Sequence, residues 1–154
     1  MPNNKETYST VDFNYWAYNQ SLSQQEKFIL EKYLDKNGTT VEAGTAGGRI
    51  VLEMQKLGFT SLYGFDYVPE FIEQAKQRDT TNSISFTVGD ATALNYDDGF
   101  FDQIVYLQQI ICCIEDDLGR LTALKEAYRI LKKGGTAIFS FLNFEDRSRK
   151  PLYI

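Results

Sequence analysis

The stretch that most constrains this chain runs from Thr40 to Arg49 and reads TVEAGTAGGR. An apolar approach at Val41, an acid at Glu42 and then Gly44, Gly47 and Gly48 describe a strand that ends, turns sharply and opens into a helix. Glycine recurs in such turns because backbone N–H groups brought against a ligand often need a positive φ and leave no room for a Cβ. The segment is expected to be a nucleotide-handling loop, with the rest of the chain as its frame.

Hydrophobic periodicity supplies that frame. Leu22, Ile29, Leu30, Tyr33 and Leu34 recur at helical spacing over Ser21 to Lys36, with Ser21 or Ser23 able to cap and Asn37-Gly38 able to stop the helix. Thr39 to Ala43 is a strand feeding the loop, and Ile50, Val51, Met54 and Leu57 form the apolar face of a helix that stops at Gly58. A second strand, Ser61 to Phe65, delivers Asp66; Pro69 then opens a helix whose buried face is Phe71, Ile72 and Ala75. Strand three, Ile84 to Val88, ends at Gly89-Asp90, and strand four spans Phe101 to Leu107 after a loop at Asn95 to Gly99. Leu118, Leu121, Leu124, Tyr128 and Leu131 mark the apolar period of a helix, with Asp116 and Asp117 at its start, Lys132 and Lys133 in its last turn and Gly134-Gly135 as terminator. Thr136 to Leu142 is a fifth, apolar strand. Strands separated by helices imply right-handed crossovers and an α/β fold: a mainly parallel sheet of about five strands with helices on both faces. Glu42, Asp66, Asp90 and the segment after Leu107 then share the carboxyl rim of the sheet, where open α/β sheets bind ligands.

Composition removes several alternatives. A chain of 154 residues fits one domain with a substantial core. No apolar run approaches the roughly 18 residues of a membrane span, and MPNNKETYST lacks the apolar core of a secretory signal, so a cytoplasmic protein with no membrane partner is expected. A net charge of −5 works against a phosphate-backbone footprint; a small-molecule partner is expected and nucleic acid is not. Cys112 and Cys113 are adjacent and read as reduced, buried or half-buried thiols. The absence of histidine removes Ser-His and Cys-His relays, a histidine base and any histidine metal site; no metal is expected.

Taken together, these segments resemble the class I S-adenosylmethionine-dependent methyltransferases, in particular the small-molecule group that includes ubiquinone-biosynthesis-type enzymes. VEAGTAGGR is similar to the family's first motif, LYGFDYVPEFIEQAK to its second strand, acid and helix, and ISFTVGDATAL to its third-strand motif. DDGFFDQIVYLQQIICCIEDD resembles the fourth and LKEAYRILKKGGTAIFS the helix and fifth strand. The resemblance implies a three-layer Rossmann-like sandwich with S-adenosylmethionine as cofactor and S-adenosylhomocysteine as product. It implies that Gly44, Thr45, Ala46, Gly47 and Gly48 line the methionine moiety and that Glu42 organises the loop and faces the amino-acid end. Asp66 would accept the two ribose hydroxyls and Tyr67 would pack on the adenine. Asp90 and the Ala91 N–H would read the adenine edge, and Leu107 and Gln108 would lie next to the sulfonium and substrate. Catalytic residues are not identified, since methyl transfer is an in-line displacement that needs positioning more than a base. Plainer readings stand beside these: Asp66 as a helix N-cap, Asp90 as a turn residue, Glu42 as a brace for the loop alone. Asp102 reads as structural, fixing the start of strand four, and Asp97 and Asp98 as solvated loop charges.

Departures from the pattern matter. Ala46 stands where the family usually has glycine, and a left-handed alanine costs on the order of 1 kcal/mol. Val68 replaces a common serine. The family's sheet continues into strands six and seven, whereas KPLYI follows soon after strand five, so residues 21–154 are expected to be a cofactor-binding domain incomplete at its C-terminal side. The edge presented by Ala137, Ile138, Phe139 and Phe141 would then be open to another chain, a homodimer among the options. Residues 1–20 carry Tyr8, Phe13, Tyr15, Trp16 and Tyr18, either a lid over the ligand or a terminal segment packed on the domain. Besides a methyltransferase acting on a small molecule, the sequence leaves two other functions open. One is a methyltransferase-like scaffold without activity; the other is an NAD-dependent oxidoreductase, which the spacing from loop to Asp66 allows but GTAGG fits poorly.

Overall fold

The structure, a computed structural model, describes Thr10 and residues 13–141. Helix α1 (Phe13–Tyr18) and helix α2 (Gln24–Tyr33) precede strand β1 (Thr39–Ala43). There follow α3 (Arg49–Lys56), β2 (Ser61–Asp66), α4 (Pro69–Arg78), β3 (Ser85–Val88) and β4 (Phe101–Tyr106), then a 3-10 turn (Ile110–Cys113), α5 (Asp117–Ile130) and β5 (Leu131–Phe139). The five strands form one sheet in the order β3-β2-β1-β4-β5, every neighbouring pair parallel. The α/β architecture expected from the alternating pattern is the one observed. Among the described residues no helix is long and apolar enough to cross a membrane.

Side-chain alternation along the strands sorts the core into two faces. Leu62, Phe86, Val105 and Leu107 point to the side covered by α2, α3 and α4, where they meet Leu30, Met54 and Ile72. Val41, Ala43, Phe65, Ile104 and Tyr106 point to the other side and meet Ala123, Ala127 and Ile130 of α5. Three helices therefore cover one face and one long helix the other.

Local chemistry explains most helix ends. Ser23, rather than Ser21, caps α2: its side chain accepts the Glu26 N–H while Glu26 accepts the Ser23 N–H, a reciprocal capping box. Pro69 opens α4 at its first turn. Asp102 fixes the start of β4 as expected, accepting from the Thr39 N–H at 2.9 Å and from Lys132 Nζ at 2.8 Å.

Two expectations fail around α5. Leu118, Leu121, Leu124 and Tyr128 lie on the exposed side of the helix, and its buried residues are Ala123, Ala127 and Ile130. Small alanines let the helix axis approach the sheet closely, and that face wins although the leucines carry the stronger periodic signal. The KKGG segment does not close α5 either. Leu131 is already extended and pairs with Phe101, whereas the next paired position, Gln103, meets Thr136. Residues 132–135 are therefore an insertion bulged out of β5, with Gly134 at φ +83 turning it and Lys132 held by Asp102. The fifth strand thus begins five residues earlier than Thr136, because Leu131 packs with the core of the α5 face. Tyr8, Leu142 and the KPLYI segment lie outside the described residues.

Candidate functional site

The chain enters the sheet in its middle at β1, builds outward to β3 and then crosses back to β4. At that reversal the connections leaving β1 and β4 part in opposite directions, and a crevice opens between them at the carboxyl rim. There the structure holds a cavity of about 660 Å³. Its walls include Glu42, Gly44, Thr45 and Ala46 from β1 and its loop, Asp66 and Tyr67 from the end of β2, Asp90 and Ala91 from the end of β3, and Leu107 and Gln108 after β4. Ten of the twelve residues singled out from sequence are thus brought to one surface.

Gly47 and Gly48 are not on that surface. A Cβ on Gly47 would run into the carbonyl of Ala17, so this glycine is what lets α1 lie against the loop. Gly48 precedes α3 at φ +81 and faces Leu52, Ala75 and Phe86 of the core. On the cavity side the close approach is at Gly44, at φ +63, where a Cβ would overlap the Ile110 side chain.

The loop is fastened by two acids. Glu42, 3% exposed, accepts from Thr45 Oγ1 at 2.7 Å and from the Val51 N–H at 3.3 Å. Burial pushes its carboxyl up to about 8, against those hydrogen bonds and the nearby Arg49 guanidinium, so it is largely protonated at neutral pH. Asp66 accepts the Ala46 N–H on Oδ2 and the Val68 N–H on Oδ1, both at 3.0 Å, and burial raises it to about 6. Ala46 does sit in a positive-φ conformation, at +45, and its bond to Asp66 offsets part of that strain. Asp66 is therefore the brace across the β1 and β2 ends, and its backbone donors Ala46, Tyr67 and Val68 leave part of its acceptor capacity for a ligand. Asp90 accepts from the backbone and hydroxyl of Thr92 in a short turn. Tyr67 is raised to about 12, chiefly by burial.

The aromatic segment named from sequence supplies one wall residue, and the arginines and Glu26 that support the wall went unnoticed. Trp16 of α1 lines the cavity, and α1 is seated by a stacked pair, Phe13 on Phe71 with centroids 5.1 Å apart. Arg78 of α4 fastens the same helix to the loop, donating to the carbonyls of Ala17, Gly47 and Asn19. Arg49, also on the wall, forms a two-pronged ion pair with Glu26 at 2.6 and 3.0 Å. Gln108 donates to that same Glu26 at 2.6 Å, and both Gln108 and Gln109 adopt positive φ, at +56 and +54. The one sequence cue to this cluster was the capping-box spacing of Ser23 and Glu26, which marks a helix start and says nothing about Arg49 or Gln108.

A family model described as "Methyltransferase domain" matches residues 41–139. The chain is 30% identical over 102 residues to the ribosomal protein L11 methyltransferase of Thermotoga neapolitana, covering 65% of this chain and 39% of that relative. It is also 30% identical over 119 residues to the ubiquinone/menaquinone biosynthesis C-methyltransferase UbiE of Geobacter sp. strain M21, covering 73% of this chain and 49% of that one. The chain therefore spans less than half the length of these relatives. Among solved structures, the PH0226 protein of Pyrococcus horikoshii superposes with a TM-score of 0.77 at 24% identity, over 97% of this chain and 71% of that one, which establishes a shared fold.

Proposed function

Because the chain belongs to the methyltransferase domain family, whose cofactor is S-adenosylmethionine, we propose that it transfers a methyl group to a small-molecule acceptor bound in the cavity between β1 and β4. The observation that carries this is the convergence of Glu42, Asp66 and Asp90, from the ends of three successive strands, on one cavity that Gly44, Thr45 and Ala46 of the loop also line. The residues present fit the cofactor. Asp66, when ionised, is an acceptor-only group whose backbone donors leave acceptor capacity for ligand hydroxyls, and Glu42 supports the loop rather than offering charge. In this reading Asp90 and the Ala91 N–H would meet the edge of a base and Tyr67 its face, while Gly44 to Ala46 and Gln108 would hold the end nearest the acceptor.

When bound, the cofactor supplies an activated methyl on a sulfonium. The chain's own part is to hold the acceptor in line with it and to exclude water, through apolar walls such as Trp16, Ile110 and Ile114. We take α1 as part of the cover, with Trp16 as its contact. The apolar lining of a cavity of about 660 Å³ supports a small acceptor over a protein one, and labelled methyl appearing in the protein fraction of an extract in place of the metabolite fraction would overturn that choice.

Titration calorimetry with S-adenosylhomocysteine tests the cofactor site. Wild type should bind, and Asp66→Ala should weaken binding by about tenfold or more, the worth of a charge-assisted hydrogen bond. Binding of NAD with silence toward S-adenosylhomocysteine would defeat the proposal; silence toward both would favour a scaffold. We also propose a homodimer through the outer edge of β5, which pairs only with β4 among the described residues and ends near the exposed Phe141. A single monomeric species across a wide concentration range in size-exclusion chromatography would remove it.

A further inference from the structure

Glu26 stands one step behind the cavity wall and holds two of its residues at once. Its carboxylate, on a residue 8% exposed, accepts from Arg49 Nη1 and Nη2, from the Ser23 N–H at 2.8 Å and from Gln108 Nε2 at 2.6 Å. An ionised carboxylate can only accept, whereas an amide has a donor end and an acceptor end. With one N–H of Nε2 committed to Glu26, Oε1 is the acceptor that Gln108 has left for a ligand in the cavity it lines. The Gln108 backbone is in the left-handed region, so the side chain is aimed by a strained turn and then fixed in rotation by a single partner. Arg49 is spent on the same carboxylate and on the Ser21 carbonyl, so this part of the wall presents an acceptor beside a neutralised cation.

We propose that Glu26 is a positioning residue for the cavity: it orients the Gln108 amide so that Oε1 receives an N–H donor of the ligand. This rests on the methyltransferase reading for the identity of that donor, the ammonium at the amino-acid end of the cofactor. Glu26→Gln gives the clearest contrast. A glutamine at 26 has one acceptor, which Arg49 takes, and its own amide nitrogen then faces Gln108. Gln108 must turn over and show the cavity a donor, which repels an ammonium.

The test compares wild type, Glu26→Gln, Gln108→Leu and the double variant by calorimetry with S-adenosylhomocysteine and with 5′-methylthioadenosine, which lacks the amino-acid end. Each single change should weaken S-adenosylhomocysteine about tenfold, and the pair together should also cost about tenfold, since both remove one interaction. Methylthioadenosine affinity should not move. Additive losses of about a hundredfold, equal losses for both ligands or no loss at all would each overturn the proposal, because a residue that merely supports the fold affects every ligand alike. The geometry is also read without ligand. In the wild-type protein the Gln108 side-chain NH₂ should give one strongly downfield-shifted proton by NMR, and a pair at free-amide positions would refute the orientation even if Glu26→Gln does not fold. Should wild type bind neither ligand, the cofactor reading fails, and this NMR signal still decides the orientation.

Discussion

The two flanks of the crevice are built on opposite principles. On the β1–β2 side, buried polar groups are each fastened to a partner: Glu42 to Thr45 and Val51, Asp66 to Ala46 and Val68, Arg49 to Glu26. On the β4–β5 side, contact is mostly apolar and incomplete. The helix α5 exposes Leu118, Leu121, Leu124 and Tyr128, and the buried hydroxyl of Tyr106 has no hydrogen-bond partner among the described residues. A polar network tolerates one geometry, because a displaced partner leaves a desolvated group unpaired. An apolar face over small residues tolerates several. In the proposed function the first flank holds an invariant cofactor and the second faces the acceptor, so the rigid construction lies where the ligand does not vary.

The sharpest way to break this contrast is to unpair the polar flank. Arg49→Ala leaves the Glu26 carboxylate buried with only the Ser23 N–H and the Gln108 amide, both neutral donors. Removing one member of a buried pair typically costs about 3–5 kcal/mol. Chemical denaturation should show a loss of that size with little change in m-value. A loss below about 1 kcal/mol would mean that the pair is solvated in practice and that the polar flank is no stiffer than the other.

A smaller effect, read over pH, isolates Glu42. Its carboxyl sits at about 8 when folded against an ordinary 4.5, so the folded state binds a proton that the unfolded chain has released between those values. Its contribution to stability is complete below 4.5 and is lost as pH rises through 8, at up to about 1.4 kcal/mol per pH unit. Asp66, raised from 3.8 to about 6, acts with the same sign over a lower window. Glu26, held at about 2 because its hydrogen bonds from Arg49 and Ser23 outweigh burial, has the opposite sign, but its effect falls below pH 4.5. Denaturation midpoints should therefore fall between pH 6 and 8, and Glu42→Gln should flatten that slope. A slope unchanged in Glu42→Gln would show that the carboxyl is hydrated.

The same contrast governs what was legible in the chain. The parallel sheet and the convergence of Glu42, Asp66 and Asp90 follow from strand-and-turn patterning, because a parallel strand buried on both faces and ending in a polar residue has few alternatives; the strand order came from the structure. Gly44 and Ala46 were legible as loop residues; that Gly47 faces Ala17 was not, since the partner lies 30 residues away and is brought there by the path of α1. The Glu26, Arg49 and Gln108 cluster was invisible for the same reason: its members come from α2, α3 and the turn after β4, and no local spacing relates them. At α5 the periodic signal pointed to the wrong face. A stripe of leucines and a stripe of alanines have the same period, and the choice between them was made by how closely the helix must approach β4.

The smallest expected effect bears on that choice. Leu121 and Tyr128 are 48% and 83% exposed. In the protein as described, Leu121→Ser and Tyr128→Ser should each change stability by no more than about 0.5 kcal/mol, the range of surface substitutions. Ala127→Leu, on the buried stripe, should cost about 1–3 kcal/mol by overpacking against the sheet. Thermal denaturation of the three variants decides which face packs on the sheet. If the serine variants lose as much as Ala127→Leu at every protein concentration, the leucine face is buried within the monomer and the loose flank is as tightly packed as the polar one. A loss that appears only on concentration would show that a second molecule covers that face, and the contrast between the flanks would then belong to the isolated chain alone.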